Sequence, residues 1–310
     1  MPQSFDILSI GEPLYELSQG SDGRFTPGFG GDSSNAAIAA ARLGARAAYV
    51  TRIGDDMFGE AFLGLWGREG VSVEHISKDR DVPTGVYFIT HRPDGHHFTY
   101  LRKGSAASRM TPEDVPEDAV RQARFVHASG VSLAISESAE ATVRHAFDIA
   151  RKAGVAISLD TNFRDRLWSA SKARSVIDEL AGSATILKTS FDDGQKLMGA
   201  REPSAIAAHY RRLGAYAVVV TLGKAGVYAV TPDGVHVLPP HSVDSVDATG
   251  AGDAFTGALL AERVRGATWT EALRFANAAA ALSTTGYGAV APLPRRAEVT
   301  VLLERLLGRG

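Results

Sequence analysis

The residues best suited to chemistry lie in a short segment near the C-terminus, which reads Asp247-Ala248-Thr249-Gly250-Ala251-Gly252-Asp253-Ala254-Phe255. Small residues at 250–252 allow successive backbone N–H groups to converge at the start of a helix, and such a cradle suits an anion such as phosphate. Asp253 would add negative charge there, which fits a base that accepts a hydroxyl proton while the amides hold phosphoryl charge. Alternatively, Asp253 is an ordinary first-turn residue favoured by the helix dipole, and spacing alone does not decide.

A second glycine turn lies near the N-terminus, where the sequence reads Phe29-Gly30-Gly31-Asp32-Ser33-Ser34-Asn35. Paired glycines ahead of a helix permit a ligand to approach the backbone closely. Asn35 would lie in the first helical turn, where its amide can offer a donor and an acceptor to a sugar hydroxyl. The chain has neither a Walker-type phosphate loop nor a Gly-x-Gly-x-x-Gly turn after a strand, so two common nucleotide signatures are absent.

The elements that must position these turns alternate between apolar strands and amphipathic helices. Nearly continuous apolar runs predict strands buried on both faces of a parallel sheet, at 5–10, 47–53, 125–129, 155–160, 184–188 and 217–221. The intervening helical stretches include 33–43, 136–152 and 203–213, and further helices are expected at 254–264 and 270–282. Gly44, Gly154 and Gly214 follow three of them where a left-handed helix stop is expected. This alternation predicts an α/β layered fold.

Two segments break the alternation and predict a lid. Residues 85–104 indicate a hairpin with arms at 86–90 and 98–102 around the turn Arg92-Pro93-Asp94-Gly95. Residues 13–29 indicate another extended excursion, and the two together predict a small sheet standing off the main layer. A third hairpin, 227–230 with 235–238, is expected to end the main sheet antiparallel. No interdomain linker is evident, so we expect one domain over residues 1–310.

Composition excludes several classes of function. The chain has 33 basic and 35 acidic residues, a net charge of −2, and a nucleic-acid-binding face would usually leave a basic excess. It has no cysteine, which excludes disulfides, thiolate metal sites and cysteine nucleophiles. Met1 to Gly11 resembles a first strand rather than a signal peptide, and no apolar run approaches the roughly 20 residues of a membrane span. We therefore expect a cytoplasmic protein.

The two glycine segments, their order and their separation resemble the two signatures of the ribokinase-like (PfkB) carbohydrate kinases. Four further segments resemble the 2-keto-3-deoxygluconate kinases within that family: Gly11-Glu12-Pro13-Leu14, Tyr100-Leu101-Arg102-Lys103-Gly104-Ser105-Ala106, Ser129-Gly130-Val131-Ser132-Leu133 and Asp160-Thr161-Asn162-Phe163-Arg164-Asp165-Arg166-Leu167-Trp168. The resemblance implies a three-layer ribokinase-like fold, a mostly parallel central sheet flanked by helices with a small β-sheet lid. It also implies ATP-dependent phosphorylation of a sugar acid at its terminal hydroxyl.

The resemblance assigns a role to each matching residue. Asp253 would be the catalytic base, and the amides of Gly250, Ala251 and Gly252 would form the anion hole. The substrate-binding residues would be Gly31, Asp32, Asn35, Tyr87, Tyr100, Arg102 and Arg164. The nucleotide-binding residues would be Ser190, Thr221, Gly223, Gly226 and Asn277. A substrate carboxylate needs a cation, and the planar fork of arginine suits that role.

Several of these residues also have a structural interpretation. Arg164 could instead form a surface ion pair with Asp165 or Asp160. Tyr87 and Tyr100 could simply pack across the hairpin, and Asn277 could be a helix-surface residue.

Mg²⁺ is expected with ATP, and Asp193 is a candidate ligand through water. Ser190-Phe191-Asp192-Asp193 stands where relatives carry Asn-x-x-Glu, and the shorter Asp193 side chain would reach less far. Gly286-Tyr287-Gly288-Ala289 lies where relatives place a monovalent-cation loop, but the motif is too loose to predict potassium dependence.

Three other interpretations stay open at this point. A PfkB-type kinase could act on fructose or a pentose, although Arg102 and Arg164 argue for an acidic sugar. The fold could also serve a non-catalytic sugar or nucleotide sensor, which would not need Asp253. A dinucleotide-dependent dehydrogenase is opposed by the absence of a Gly-x-Gly-x-x-Gly turn after a strand.

The lid is expected to pair two copies of the chain into a homodimer.

Overall fold

The buried apolar runs of the sequence become the strands of a large sheet in the computed structural model, which describes residues 5–20, 22–92 and 95–307. The strands of these ranges are β1 (Ile7–Ile10), β2 (Leu14–Gln19), β3 (Phe25–Gly30), β4 (Ala47–Gly54), β5 (Ile76–Asp79), β6 (Gly85–Arg92), β7 (Gly95–Leu101), β8 (Phe125–Ser129), β9 (Ala156–Asp160), β10 (Ile186–Ser190), β11 (Ala217–Thr221), β12 (Val227–Thr231) and β13 (Gly234–Leu238). The α-helices are α1 (Asp32–Arg42), α2 (Met57–Glu69), α3 (Glu117–Gln122), α4 (Gly130–Ala134), α5 (Glu137–Ala153), α6 (Ala170–Ala181), α7 (Phe191–Met198), α8 (Pro203–Arg212), α9 (Ala251–Arg265), α10 (Trp269–Ser283) and α11 (Arg296–Leu307).

The main sheet has the order β13-β12-β11-β10-β9-β8-β1-β4-β5 within the described ranges. The strands from β11 to β5 run parallel, whereas β12 and β13 form the antiparallel hairpin predicted for that edge. One hydrophobic cluster joins the sheet to α5, α6 and α8, and a second joins it to α1, α9 and α10. Helices thus cover both faces, which confirms the predicted three-layer α/β fold.

A four-stranded sheet of order β3-β2-β6-β7 forms the predicted lid. The segments 13–29 and 85–104 meet through β2 and β6, which pair in parallel, and each segment adds an antiparallel neighbour. Two residues of the predicted turn, Pro93 and Asp94, lie outside the described residues.

Several element boundaries differ from the predicted ones, and two of these differences lie at the site. Helix α9 begins at Ala251, three residues before the predicted start, because Gly250 caps it in the left-handed conformation with φ 75°. Asp253 therefore lies in the first helical turn. Strand β10 continues to Ser190, beyond the predicted end at Lys188, because its polar end still pairs with β11. None of the helices in the described ranges combines the length and apolarity that a bilayer span requires.

Candidate functional site

A cavity of about 1100 Å³ lies between the carboxyl end of the main sheet and the lid. The strand ends contribute Asp160, Lys188 and Thr221, and the lid contributes Tyr87 and Tyr100. The carboxyl edge of an open parallel sheet is where such folds bind ligands. Both glycine turns identified in the sequence border this same cavity.

The first turns of α1 and α9 meet in the cavity and bring Asn35 to Asp253. The Asn35 side-chain amide donates a hydrogen bond of 2.8 Å to Asp253 Oδ2. Gly31 caps α1 with φ 102°, and a Cβ at this position would overlap the carbonyl oxygen of Glu12, so a glycine is required there. Asn35 Oδ1 is buried and has no hydrogen-bond partner within the described residues, so it is a free acceptor beside the carboxylate.

The Asp253 carboxyl has an unusual protonation equilibrium. Burial raises the pKa of Asp253 to about 7, and the nearby carboxylate of Asp32 contributes in the same direction. The hydrogen bond from Asn35 and the charge of Lys188 oppose this rise. A carboxyl with a pKa near 7 is well matched to general-base chemistry near neutral pH.

Among the residues that the structure describes, the turn that leads into α9 leaves several of its backbone amides without a hydrogen bond. The Ala251 amide donates to the carbonyl oxygen of Ala248 at 3.2 Å, so the turn itself uses that donor. Within the described residues, the amides of Gly250 and Gly252 form no hydrogen bond, and neither does that of Asp253. These are the free donors of a helix N-terminus, where negative charge is favoured.

The lid side of the cavity contains stacked aromatic rings and an arginine that is paired with a carboxylate. The rings of Tyr87 and Tyr100 stack with centroids 5.7 Å apart and also border the cavity, so packing and a ligand-facing position coexist. The Tyr87 hydroxyl donates to Glu16. Arg102 forms an ion pair with Glu12, whose side chain is fully buried. The charge of Arg102 is therefore already matched inside the protein.

Arg164 differs from Arg102 because no carboxylate of the residues that the structure describes lies within ion-pair distance of it. Its guanidinium borders the cavity and donates to the carbonyl oxygen of Phe163 at 2.9 Å. In the described part of the chain it forms no ion pair, and neither Asp160 nor Asp165 is its partner. The surface ion pair considered from the sequence is therefore not formed.

The predicted nucleotide-site residues divide into two groups. Ser190, Thr221 and Gly223 border the cavity, and Ser190 Oγ also caps α7 by accepting from the amide of Asp193 at 3.0 Å. Gly226 and Asn277 are not among the residues that border the cavity. The Asn277 amide instead donates to the carbonyl oxygen of Pro239 at 2.8 Å, and a Cβ at Gly226 would overlap the carbonyl oxygen of Leu238. Both residues hold the chain just after β13.

Asp193 is buried at the cavity wall, and one of its carboxylate oxygens already accepts hydrogen bonds from the protein. Its Oδ2 accepts hydrogen bonds from Thr161 Oγ1 at 2.9 Å and from the amide of Phe163 at 3.2 Å. No group of three or more acidic or histidine side chains suited to a metal occurs among the described residues. The donor set therefore fits a metal held by substrate phosphates and water better than a cage of protein ligands.

Two charged residues of this site, Lys188 and Glu12, had no role assigned to them from the sequence. Lys188 Nζ donates to Asp160 Oδ2 at 2.6 Å, and both side chains are buried beside the cavity. A single lysine within the otherwise apolar run Ile186-Leu187-Lys188 is the signal that could have identified it, because an unpaired charge is rarely buried. Glu12 lies two residues beyond the end of the apolar strand β1.

Comparison with known proteins gives consistent similarities over nearly the whole chain. Residues 5–296 match the family described as pfkB family carbohydrate kinase. The chain is 36% identical to 2-dehydro-3-deoxygluconokinase of Thermoproteus tenax, over 94% of this chain and 93% of the relative. It is 35% identical to probable fructokinase-4 of Arabidopsis thaliana, over 96% of each. A crystal structure of a putative ribokinase II from E. coli in complex with ATP and Mg²⁺ superposes with a TM-score of 0.89 and 26% identity, over 97% of this chain and 99% of that chain.

Proposed function

The chain belongs to the pfkB family of carbohydrate kinases, and on that premise we propose that it transfers phosphate from ATP to the 6-hydroxyl of 2-keto-3-deoxygluconate. ATP-dependent sugar phosphorylation is the activity of the family. The identity of the sugar and the roles of the individual residues are the proposed part. The observation that carries them is the carboxyl of Asp253, held by Asn35 at the N-terminus of α9 within the cavity.

In the proposed reaction, Asp253 accepts the proton of the substrate hydroxyl as its oxygen attacks the γ-phosphorus. The bond between that phosphorus and the bridging oxygen of ADP breaks, and ADP leaves with the electron pair. Gly250 and Gly252, whose amides form no hydrogen bond within the described residues, border the cavity beside Asp253, where these amides can hold the negative charge of the transferring group. Asn35 Oδ1, which lacks a partner within the described residues, can accept a hydrogen bond from a neighbouring sugar hydroxyl.

Mg²⁺ bound to ATP would neutralise charge on the phosphate oxygens. Asp193 is the residue that we propose to meet it through water, because both hydrogen bonds to this carboxylate use Oδ2. Oδ1 accepts no hydrogen bond within the described residues. Burial raises the pKa of Asp193, and the charge of Asp160 adds to the rise. A nearby cation would therefore favour the ionised form.

Arg164 supports an acidic sugar as the substrate. It is a cavity-facing guanidinium without an ion-pair partner among the described residues, and a carboxylate can accept two hydrogen bonds from it. Arg102 is less suited to supply net positive charge, since Glu12 neutralises it. We therefore propose that Arg164 recognises the carboxylate, while Arg102 shapes the wall together with Tyr100, over whose ring it lies at 5.7 Å.

A second candidate substrate is fructose. The chain is 35% identical to a probable fructokinase, almost as similar as it is to the 2-dehydro-3-deoxygluconokinase. The neutralised Arg102 would also tolerate an uncharged sugar. The two candidates differ in whether Arg164 has a substrate carboxylate to bind.

Replacing Asp253 tests the reaction. We expect Asp253→Asn to lower kcat for sugar-dependent ADP release by about 10²–10⁴-fold, because the proton acceptor is lost. The control is Asp118→Asn, which removes the same charge from a side chain that is 93% exposed and does not border the cavity. Turnover of Asp253→Asn within a few-fold of the unmodified protein would contradict the assignment.

Replacing Arg164 tests the substrate. For 2-keto-3-deoxygluconate, Arg164→Met should lower kcat/KM by about 10–100-fold, the effect of losing a charge-assisted hydrogen bond. For fructose, kcat/KM should change little. Arg80→Met removes an 88% exposed arginine that does not border the cavity and is the matched control. Fructose as the better substrate, with no dependence on Arg164, would favour the second candidate.

A further inference from the structure

A buried ion pair between Lys188 and Asp160 lies against the wall of the cavity. Lys188 in the middle of β10 donates to Asp160 at the end of β9, and the two side chains are only 7% and 5% exposed. Isolated charges are expensive to bury, so such a pair is maintained where each charge has a partner. Neither residue is assigned a role in the proposed reaction.

The ammonium of Lys188 lies close to the helix turn that carries Asp253. A Cβ built on Gly252 would lie 3.0 Å from Lys188 Nζ, so a side chain at 252 would press directly on the ammonium. Gly252 immediately precedes Asp253 in the first turn of α9. Lys188 thus approaches this turn from β10, while Asn35 approaches it from α1.

The charges that surround Asp253 are mostly negative. Asp32 lies on α1, and Asp160 lies on β9. Asp193 on α7 acts on Lys188, and the exposed Arg164 acts on Asp160 and Asp193. His127 on β8 contributes no compensating charge near neutral pH, because burial lowers its pKa to about 4.

Lys188 keeps its proton in these surroundings. Burial alone would lower the pKa of Lys188, but the carboxylates of Asp160, Asp253 and Asp193 together outweigh burial and hold it above its ordinary value, with Asp160 contributing most. Lys188 therefore contributes positive charge to a region of several carboxylates.

We propose that Lys188 is a positioning residue for phosphoryl transfer: Asp160 fixes it against the first turn of α9, where its ammonium favours the ionised form of the Asp253 carboxyl that accepts the substrate proton. The inference rests on the proposed function, since it takes Asp253 to be the base. It adds a third element, β10, to α9, which carries Asp253, and α1, which supplies Asn35.

The two members of the pair should have opposite effects on the base. Lys188 lowers the pKa of Asp253 and Asp160 raises it, with Lys188 the larger influence. Lys188→Met should therefore move the titration of Asp253 to higher pH, by roughly one unit, and Asp160→Asn should move it to lower pH. A purely structural role for the pair would not produce shifts of opposite sign.

The test is a ¹³C NMR titration of the Asp253 carboxyl in the full chain, assigned by the loss of its signal in Asp253→Asn. The pH dependence of kcat/KM for ADP release is measured beside it, and a one-unit shift corresponds to about a tenfold loss of kcat/KM on the acid side. Equal midpoints in Lys188→Met and Asp160→Asn, or shifts in the same direction, would overturn the inference.

A double variant covers the case in which Lys188→Met leaves Asp160 unpaired and unfolds the chain. Lys188→Met/Asp160→Asn removes both charges together, which buried pairs tolerate better than the loss of one partner. Its midpoint should lie above that of Asp160→Asn alone, and an equal midpoint would contradict the proposal.

The two proposals can fail separately. If Asp253→Asn abolishes turnover but the midpoints do not move, the kinase assignment stands and Lys188 has no such role. If no sugar is phosphorylated but the NMR midpoints separate as expected, the electrostatic role stands and the assigned reaction is wrong.

Discussion

At the scale of single residues, Asp253 combines a cavity-facing position with a pKa that burial raises to about 7. A carboxyl that is harder to ionise in the folded chain than in the unfolded chain destabilises the fold once it carries its charge. The residue best placed for catalysis is therefore also a source of instability above neutral pH, a common feature of active sites.

The first consequence concerns activity and pH. Because Asp253 must be ionised to accept a proton, kcat/KM of the unmodified chain should fall on the acid side with a midpoint near pH 7. Steady-state kinetics between pH 5 and 9 measure this midpoint. A profile that stays flat down to about pH 5 would indicate a base with an ordinary carboxyl pKa.

The second consequence concerns stability. The folded pKa lies above the unfolded one, so the stabilising effect of Asp253 is complete below the unfolded pKa near 4 and is lost as the pH rises through about 7. Asp253→Asn avoids the buried charge and should raise Tm at pH 8 by about 2–4 °C. At pH 5 the gain should be smaller. Thermal unfolding at both pH values gives the comparison, and a gain larger at pH 5 would contradict it.

At the scale of elements, the site depends on how closely α1 and α9 pack. A Cβ added to Gly257 in α9 would lie 2.5 Å from the carbonyl oxygen of Ala36 and 2.6 Å from the Cβ of Ala39. Glycine and alanine at the crossing allow the two backbones to approach. That approach, four residues beyond Asp253, brings the carboxyl within hydrogen-bonding distance of Asn35.

Adding one methyl group at the crossing should separate the two helices. We expect Gly257→Ala to destabilise the fold by about 1–3 kcal/mol, as overpacking does, and to lower kcat by displacing Asp253 from Asn35. Gly67→Ala in α2 is the matched control, because a Cβ there meets nothing within 4 Å. It should stabilise the chain by about 0.4–1 kcal/mol. Urea unfolding measures both, and equal effects would contradict the packing argument.

At the scale of the whole molecule, the lid closes one side of the cavity and exposes apolar residues on the other side and at its edges. Phe25 on β3 is 42% exposed and Leu101 on β7 is 63% exposed. Such residues on the outer strands of a small sheet favour pairing with another chain. We therefore propose, as expected from the sequence, that the protein forms a homodimer through the lid.

Charge on the lid edges should disrupt this dimer. In light scattering after size-exclusion chromatography, the unmodified chain should have twice the mass of one chain, and Phe25→Lys/Leu101→Lys should have the mass of one. Val237→Lys is the control, since Val237 is 69% exposed on β13, the edge strand of the main sheet. A dimer that survives the lid substitutions but not Val237→Lys would place the interface on the main sheet instead.

The sequence by itself determined the layered fold, the lid and the two glycine turns, because these follow from local periodicity and backbone requirements. The strand at 125–129 and that at 217–221 were predicted to the residue, since both are mostly apolar and end in a hydroxyl residue. Gly31 and Gly250 were identifiable for the same reason: their positive φ angles demand glycine locally.

Only the tertiary structure decided how the charges are paired. Glu12 neutralises Arg102, although 90 residues of chain separate them. Lys188, Asp160 and Asp253 lie on three separate elements, β10, β9 and α9, which the fold brings together. Nothing local in the sequence specifies such long-range partners, because an ion pair depends on which strand ends become neighbours in the sheet. The pKa of Asp253, and with it the pH at which the site can work, is therefore set by the fold rather than by the motif that contains it.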